Sequence, residues 1–367
     1  MRVLLYFLCL SGCLLPLKAQ VNPDQITVYF PAFTGQETLG QNVSTVLSLQ
    51  LAQTTRKKPW PHNPQNLDFG RGMFKWDYAA YNMSQYKQVL SIAQSSKLLA
   101  QMIVLGNTQQ FGREVVVEVD VLLPSYQSSD KACDFNAKQP CDYRQKNLEV
   151  WPLVCGQQKL YTQLPRRRYN MAGIVLDEDV VARFRKVKGL PITSSIQSTE
   201  VIGYTGDDLQ FLEFNRYLPN APTKLRSKGN EGYVSLPKIS KQNSEFTDMA
   251  GGLFQVLRGD WQEAHSSFSR VLNNPVTRIP LKVDAYLLRG MVQFRRGNNG
   301  LADLSQAVEL APYDVGAIRY QLTGMLALGN SSDTVKQVLN EKRFLFETDD
   351  VWLKDMENFI ACSANES

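Results

Sequence analysis

The sequence has few of the residues on which common catalytic sites depend. Only two of its 367 residues are histidine, His62 and His265. A Ser–His–Asp or Cys–His arrangement would have to use one of them, and no motif such as Gly-x-Ser-x-Gly supports such a site. The phosphate-binding P-loop and the dinucleotide-binding glycine fingerprint are also missing. We therefore expect a protein without catalytic activity and without a cofactor.

Metal-binding patterns are equally scarce. No Cys-x-x-Cys pair or nearby histidine completes a tetrahedral zinc set. The densest acidic cluster is Asp177-Glu178-Asp179, whose oxygens are the ligands that Ca²⁺ takes. This cluster lies where a short helix is predicted to begin, and acidic side chains stabilise that end of a helix dipole. We expect the helix-capping role, with Asp177 as N-cap, and no metal site.

Tight runs of one charge sign are scarce in the chain. The net charge is +5, and the one tight basic run is Arg166-Arg167-Arg168. Nucleic-acid binding needs more basic residues on one face than this run supplies. We expect a solvated strand end here and no nucleic-acid partner.

No apolar run reaches the ~20 residues that a transmembrane helix needs. Arg2 is followed by the apolar segment Val3–Leu10, and polar residues interrupt the sequence beyond it. This pattern predicts a secretory signal peptide over residues 1–19, cleaved after Ala19. Leu10-Ser11-Gly12-Cys13 resembles a bacterial lipobox, which leaves open a lipidated N-terminus at Cys13. Membrane association is expected only in that second case.

Cysteine usage agrees with export. Removal of the signal would leave Cys133, Cys141, Cys155 and Cys362, an even number that suits an oxidising compartment. Cys133 and Cys141 flank a short polar loop, and we predict a small-loop disulfide between them. The pairing of Cys155 and Cys362 stays open.

The first predicted domain covers residues 25–124 and has an α/β pattern. The expected elements are a strand at 26–33, helices at 38–54 and 83–99, a surface loop at 59–76, and a hairpin of strands 101–110 and 113–123. The opening strand, the helix beginning Leu39-Gly40-Gln41 and the segment Met102–Leu123 resemble the TolB-type N-terminal domain of bacterial envelope proteins. The resemblance implies an interaction module in the envelope.

The middle of the chain is predicted to be β-rich. Residues 125–185 contain a hairpin around Cys155–Gln158 and a strand near 169–176, and we assign them to a connector. Five short strands follow in residues 186–240. Val201-Ile202-Gly203 and Gly232-Tyr233-Val234 are similar to the SH3-like barrels of bacterial envelope proteins, which implies peptidoglycan binding. A small barrel that acts as a spacer is the alternative.

The C-terminal region, residues 246–360, is predicted to be helical and repetitive. Gly252 and Gly290 each stand seven residues before a turn glycine, and Pro275 and Pro312 are 37 residues apart. These features resemble the tetratricopeptide repeat, with an ordinary helical bundle as the alternative. The resemblance implies a surface that holds a partner protein. We expect the partner to contact aromatic residues of the repeats: Trp261, Phe268, Tyr286, Phe294 and Tyr320.

These patterns together predict a multidomain α+β protein. The expected function is a non-catalytic scaffold exported to the bacterial periplasm, or anchored at the outer membrane if Cys13 is lipidated, that binds a protein partner through its helical repeats. One rival is a peptidoglycan-binding protein that uses residues 186–240. The other is a hydrolase with an unrecognised site near Asp177 to Asp179.

Overall fold

The computed structural model describes residues 26–35, 37–54, 74–94, 100–124, 151–156, 158–162, 168–177, 181, 189–206, 210–213, 222–235, 244–347 and 350–366. The predicted signal peptide, the lipidation candidate Cys13 and the predicted disulfide between Cys133 and Cys141 lie outside these residues. The described part of the chain is a mixed α/β structure with two five-stranded sheets, a two-stranded hairpin and a helical C-terminal region.

The N-terminal sheet has the strand order β2-β1-β3-β4-β7, with β1 parallel to both of its neighbours and antiparallel pairing elsewhere. Its elements are β1 (Val28–Ala32), α1 (Glu37–Thr54), β2 (Phe74–Ala80), α2 (Tyr86–Gln94), β3 (Met102–Phe111), β4 (Glu114–Leu122) and β7 (Arg168–Asp177). Residues 74–76, predicted to end a surface loop, instead belong to strand β2. The second helix begins with a 3-10 turn at Met83–Gln85.

Successive side chains of β4 face opposite sides of the N-terminal sheet, so the strand contributes to a core on each side. Val115, Val117, Val119 and Val121 are fully buried in a core that also contains apolar residues of α1. Leu122 lies in a second core, formed with Tyr29 and residues of α2.

Strand β7 pairs with β4 along its length, from Glu114 opposite Asp177 to Leu122 opposite Arg168. The last strand of the predicted connector is therefore an edge strand of the N-terminal sheet. Asp177, expected to cap a helix, is the final residue of this strand. The rest of the connector is described in the hairpin of β5 (Trp151–Cys155) and β6 (Gln158–Thr162) and at Val181, which is helical and buried.

The second five-stranded sheet lies in residues 191–234 and is antiparallel throughout. Its strands are β8 (Pro191–Thr193), β9 (Val201–Tyr204), β10 (Gln210–Glu213), β11 (Thr223–Ser227) and β12 (Asn230–Val234), in the order β10-β11-β12-β8-β9. The first strand therefore pairs with the last. Ile192, Leu225 and Val234 supply its buried apolar side chains.

Helices occupy the C-terminal region. They are α3 (Ser244–Arg258), α4 (Trp261–Asn273), α5 (Ile279–Arg295), α6 (Leu301–Leu310), α7 (Val315–Ala327), α8 (Ser332–Lys342) and α9 (Val351–Glu366). Successive helices are joined by short connections, which makes them antiparallel neighbours. The turns within the three hairpins carry Gly259, Gly297 and Gly329, whose φ angles are 74°, 75° and 73°. Glycine adopts this left-handed conformation without strain.

Glycines in the first helix of each hairpin allow close packing. A Cβ atom on Gly290 would lie 2.8 Å from Leu304, and one on Gly324 would lie 2.7 Å from the same leucine. In the second hairpin Gly300 approaches Gly290, and Ala302 is exposed. Ala302 therefore does not repeat the buried role of Ala264 in the first hairpin.

One apolar core extends from the N-terminal sheet into the helical hairpins. Helix α1 packs against α3, and α9 packs against β5 and β6. A disulfide between Cys155 and Cys362 links the β5–β6 hairpin to α9 across 207 residues of sequence. Among the described residues, no helix is long and apolar enough to span a membrane.

Candidate protein-interaction surfaces

The five aromatic residues predicted to contact a partner divide into two groups. Phe268 is fully buried and Tyr320 is nearly so. Phe268 fills the space beside Gly252, where a Cβ atom would lie 2.5 Å from its Cε1 atom. Trp261, Tyr286 and Phe294 are partly exposed, so these three have surface available for a partner.

Large apolar side chains are exposed on the three loops between the hairpins. Val276 on the α4–α5 loop is 76% exposed, Tyr313 on the α6–α7 loop 74%, and Phe344 on the α8–α9 segment 73%. Ile279, Leu310 and Val351 flank them and are also exposed. Because the helices are antiparallel neighbours, these connections all lie at the same end of the hairpins. We call these six residues the apolar rim.

The apolar rim was missed at the level of sequence, although a signal for part of it exists. Val276 follows Pro275 and Tyr313 follows Pro312, so the two exposed residues occupy the same repeat position, 37 residues apart. Isolated exposed apolar residues are normal on protein surfaces, whereas clustered ones mark interaction sites. The rim places six exposed apolar residues at one end of the hairpins, which makes it a candidate interaction site.

A second surface runs along the solvent-facing side of α5. Lys282, Tyr286, Arg289, Gln293 and Arg296 recur at three- and four-residue spacing, and each is exposed or partly exposed. This spacing aligns side chains on one face of a helix. We call these five residues the α5 strip. It begins one turn from Ile279, a member of the apolar rim.

Asp303 on α6 holds the centre of the α5 strip in position. The Arg289 guanidinium donates to both carboxylate oxygens of Asp303 at 2.6 and 2.8 Å, and Gln293 donates to the same carboxylate at 2.9 Å. Arg289 also lies 5.6 Å from the centre of the Tyr286 ring. The hydrogen bond to Asp303 raises the pKa of Arg289, so this cation stays charged and oriented.

The α4 side of the strip contributes a histidine and a tryptophan. Burial lowers the pKa of His265, and the positive charges of Arg296 and Arg289 lower it further. Arg295 lies 5.1 Å from the centre of the Trp261 ring, a cation–π geometry. The rings of Trp261 and Tyr286 therefore each have a guanidinium group beside them.

A third surface lies at the edge of the second sheet. Strand β9 is an edge strand, and Val201, Ile202 and Tyr204 are exposed, as is Ile196 in the preceding loop. Edge strands of this kind offer backbone groups and apolar side chains to an incoming chain. Ile202 sits in a register shift of the β8–β9 pair, which limits regular pairing.

Several candidates for catalysis and metal binding cannot be placed relative to one another. His62, Glu178 and Asp179 lie outside the described residues, and His265 belongs to the helical surface. No group of three or more histidine, cysteine or acidic side chains with metal-binding geometry occurs in the described ranges.

Comparison with protein-family models, curated proteins and solved structures gave no match.

Proposed function

We propose that the protein is a non-catalytic scaffold of the bacterial cell envelope that holds a partner protein through its helical hairpins. The observation that carries this proposal is the apolar rim. Tyrosine and phenylalanine are enriched at protein interfaces, where a few buried aromatic residues supply most of the binding free energy. Tyr313 lies in a loop and Phe344 in a 3-10 turn, each with most of its surface in solvent, so both can be buried by a partner.

Export is part of the same proposal. The N-terminal apolar segment and the even number of cysteines that follow the predicted signal peptide support a periplasmic location. Lipidation at Cys13 would tether the protein to the outer membrane. Metabolic labelling with a fatty acid tests this: label in the parent protein that is lost in Cys13→Ala would establish the anchor, and no label in the parent would exclude it.

Site-specific photocrosslinking in intact cells tests the scaffold. A photoreactive residue at Val276 or Tyr313 should capture the same protein, identified by mass spectrometry. Leu328 provides a matched control, because it is also an exposed apolar residue but lies in the turn at the other end of the third hairpin. Capture at both rim positions should disappear with Phe344→Asp in the same chain. The proposal is wrong if neither rim position captures a protein, or if Leu328 captures the same one.

A second candidate function is peptidoglycan binding through residues 186–240. The exposed apolar edge strand β9 favours it, because Tyr204 and Val201 offer a surface at which a wall peptide could add to the sheet. Purified sacculi should then retain the parent protein and lose the variant Val201→Lys/Tyr204→Lys. Equal retention of both proteins, or of neither, would exclude this surface.

A further inference from the structure

The face of α5 that meets solvent carries cations and no carboxylate. From Arg278 to Arg296 the sequence contains five arginine or lysine residues and a single acidic residue, Asp284. Asp284 is buried, so its carboxylate does not neutralise the exposed face. Within the α5 strip, Lys282, Arg289 and Arg296 are positively charged. Only Arg289 has a carboxylate partner there, Asp303.

Lys282 and Arg296 are the two members of the α5 strip that remain available to an anionic ligand. Neither forms an ion pair with another side chain in the described part of the molecule. Arg296 is exposed and Lys282 partly so, while Tyr286 and Gln293 lie between them. The two cations are fourteen residues apart, which corresponds to about 21 Å along a helix. An extended segment of about six residues spans that distance.

We infer that the partner of this scaffold contributes an acidic segment that lies along the α5 strip, with carboxylates beside Lys282 and Arg296. The inference rests on the proposed function and names the chemistry of the partner. Complementary charge steers association and selects among partners. The Tyr286 ring and the Gln293 amide lie between the two cations, where they can contact the segment, and the neighbouring rim can take an apolar residue at its end.

Fluorescence anisotropy with designed peptides tests this inference on the full mature chain. The probe is a labelled peptide of about twelve residues in which glutamates alternate with serine and two leucines stand near one end. A second peptide replaces every glutamate with lysine. The acidic peptide should bind at least about tenfold more tightly, and raising the salt concentration from about 50 to about 300 mM should weaken its binding.

Charge reversal locates the binding surface. Lys282→Glu/Arg296→Glu should weaken binding of the acidic peptide by about tenfold or more, and Lys282→Gln/Arg296→Gln should weaken it less. Lys336→Glu, at an exposed position on α8, is the control and should change binding little. Circular dichroism melts establish that each variant folds, and the glutamine variant keeps the test valid if the glutamate variant does not fold.

The outcomes separate this inference from the scaffold on which it rests. Equal affinity for the acidic and basic peptides, or equal effects of the strip and Lys336 variants, overturns the acidic segment while leaving rim crosslinking intact. The inference is also overturned if the affinity for the peptide depends on its two leucines and not on its glutamates. The inference is supported if the protein binds the acidic peptide more tightly and the strip variants abolish that preference. The scaffold proposal is tested separately, and it fails if crosslinking at the rim captures no protein.

Discussion

A Cβ atom on Gly252 would lie 2.5 Å from Cε1 of Phe268, closer than two carbon atoms approach without repulsion. Helices α3 and α4 therefore approach each other because residue 252 has no side chain. Phe268 is among the largest fully buried side chains of the described residues. The absence of a side chain at Gly252 on α3 thus leaves room for the Phe268 ring in the core of the first hairpin.

Gly252→Ala should destabilise the protein by about 1–2 kcal/mol. Alanine is the better helix former by about 1 kcal/mol, but overpacking a filled core costs about 1–3 kcal/mol and displaces Phe268. Urea unfolding followed by circular dichroism measures the change. In the background of Phe268→Leu, which makes room, the same substitution should be neutral or stabilising. A Gly252→Ala protein as stable as the parent would contradict the packing.

Local signals in the sequence account for much of the fold. Strand β4 follows from the alternation of its valines and β3 from an apolar run at residues 102–105, and glycines mark the turns within the three helical hairpins. Strand β2 was missed because Phe74–Ala80 pairs in parallel with β1. This contact is non-local, and no turn motif in the sequence indicates it. The membership of β7 in the N-terminal sheet depends in the same way on a partner strand far away in the sequence.

The candidate surfaces were predicted less well, for a physical reason. Aromatic identity suggested Phe268 and Tyr320 as contact residues, but their positions on α4 and α7 turn them towards neighbouring helices. The exposure of Val276 and Tyr313 depends on loops that project beyond the helices. Sequence periodicity shows that these two residues are equivalent, and only the packing of the hairpins shows that they face solvent.

Arg319 and Asp350 form a buried ion pair whose disruption should be costly. The Arg319 guanidinium donates to the Asp350 carboxylate and lies within 6 Å of the ring centres of Phe346 and Trp352, at 5.8 and 5.3 Å. The same carboxylate accepts the backbone N–H of Leu353 at 3.0 Å. Burial lowers the pKa of Arg319, and the charge of Asp350 opposes that shift.

Asp350→Asn should destabilise the protein by about 3 kcal/mol, because it leaves a buried guanidinium without its counter-charge. Arg343→Gln is the control, since Arg343 pairs with Glu357 at the surface and exposed pairs contribute less than about 1 kcal/mol. Chemical denaturation of the two variants beside the parent measures both effects. Similar losses in the two variants would show that the Arg319 pair is not protected from solvent.

Glu245 should make stability depend on pH. Burial raises the pKa of its carboxyl above the ordinary value of 4.5, while the charge of Arg278 acts in the opposite direction. The buried Oε1 atom accepts no hydrogen bond from the described residues. A raised folded-state pKa means that the folded protein keeps a proton that the unfolded chain has lost. The protonated carboxyl therefore makes its full contribution to stability at pH below the pKa of the unfolded chain. This contribution is lost as pH rises through the folded-state pKa.

Glu245→Gln removes this dependence. Relative to the parent, the variant should gain stability, measured as a higher Tm, as pH rises from about 4 to about 7. Thermal melts across that range measure the difference. Glu263→Gln, at an exposed position on α4, controls for the loss of one negative charge. A parent-to-variant difference that does not change with pH would contradict the burial of Glu245.

The disulfide between Cys155 and Cys362 should be a major source of stability, because its Cα atoms are 6.0 Å apart in space and 207 residues apart in sequence. The chain-entropy relation assigns about 5 kcal/mol to a loop of that length, against about 2–3 kcal/mol for the short loop predicted between Cys133 and Cys141. Cys155→Ser/Cys362→Ser should therefore lower Tm more than Cys133→Ser/Cys141→Ser does.

Peptide mapping without reduction should recover Cys155 joined to Cys362. Recovery of Cys155 joined to Cys133 or Cys141 would contradict the pairing, and so would free thiols at both positions in protein isolated from an oxidising compartment. If the bond forms as described, reduction should also loosen α9 from the β5–β6 hairpin, and proteolysis within α9 should then proceed faster in the reduced parent than in the oxidised one.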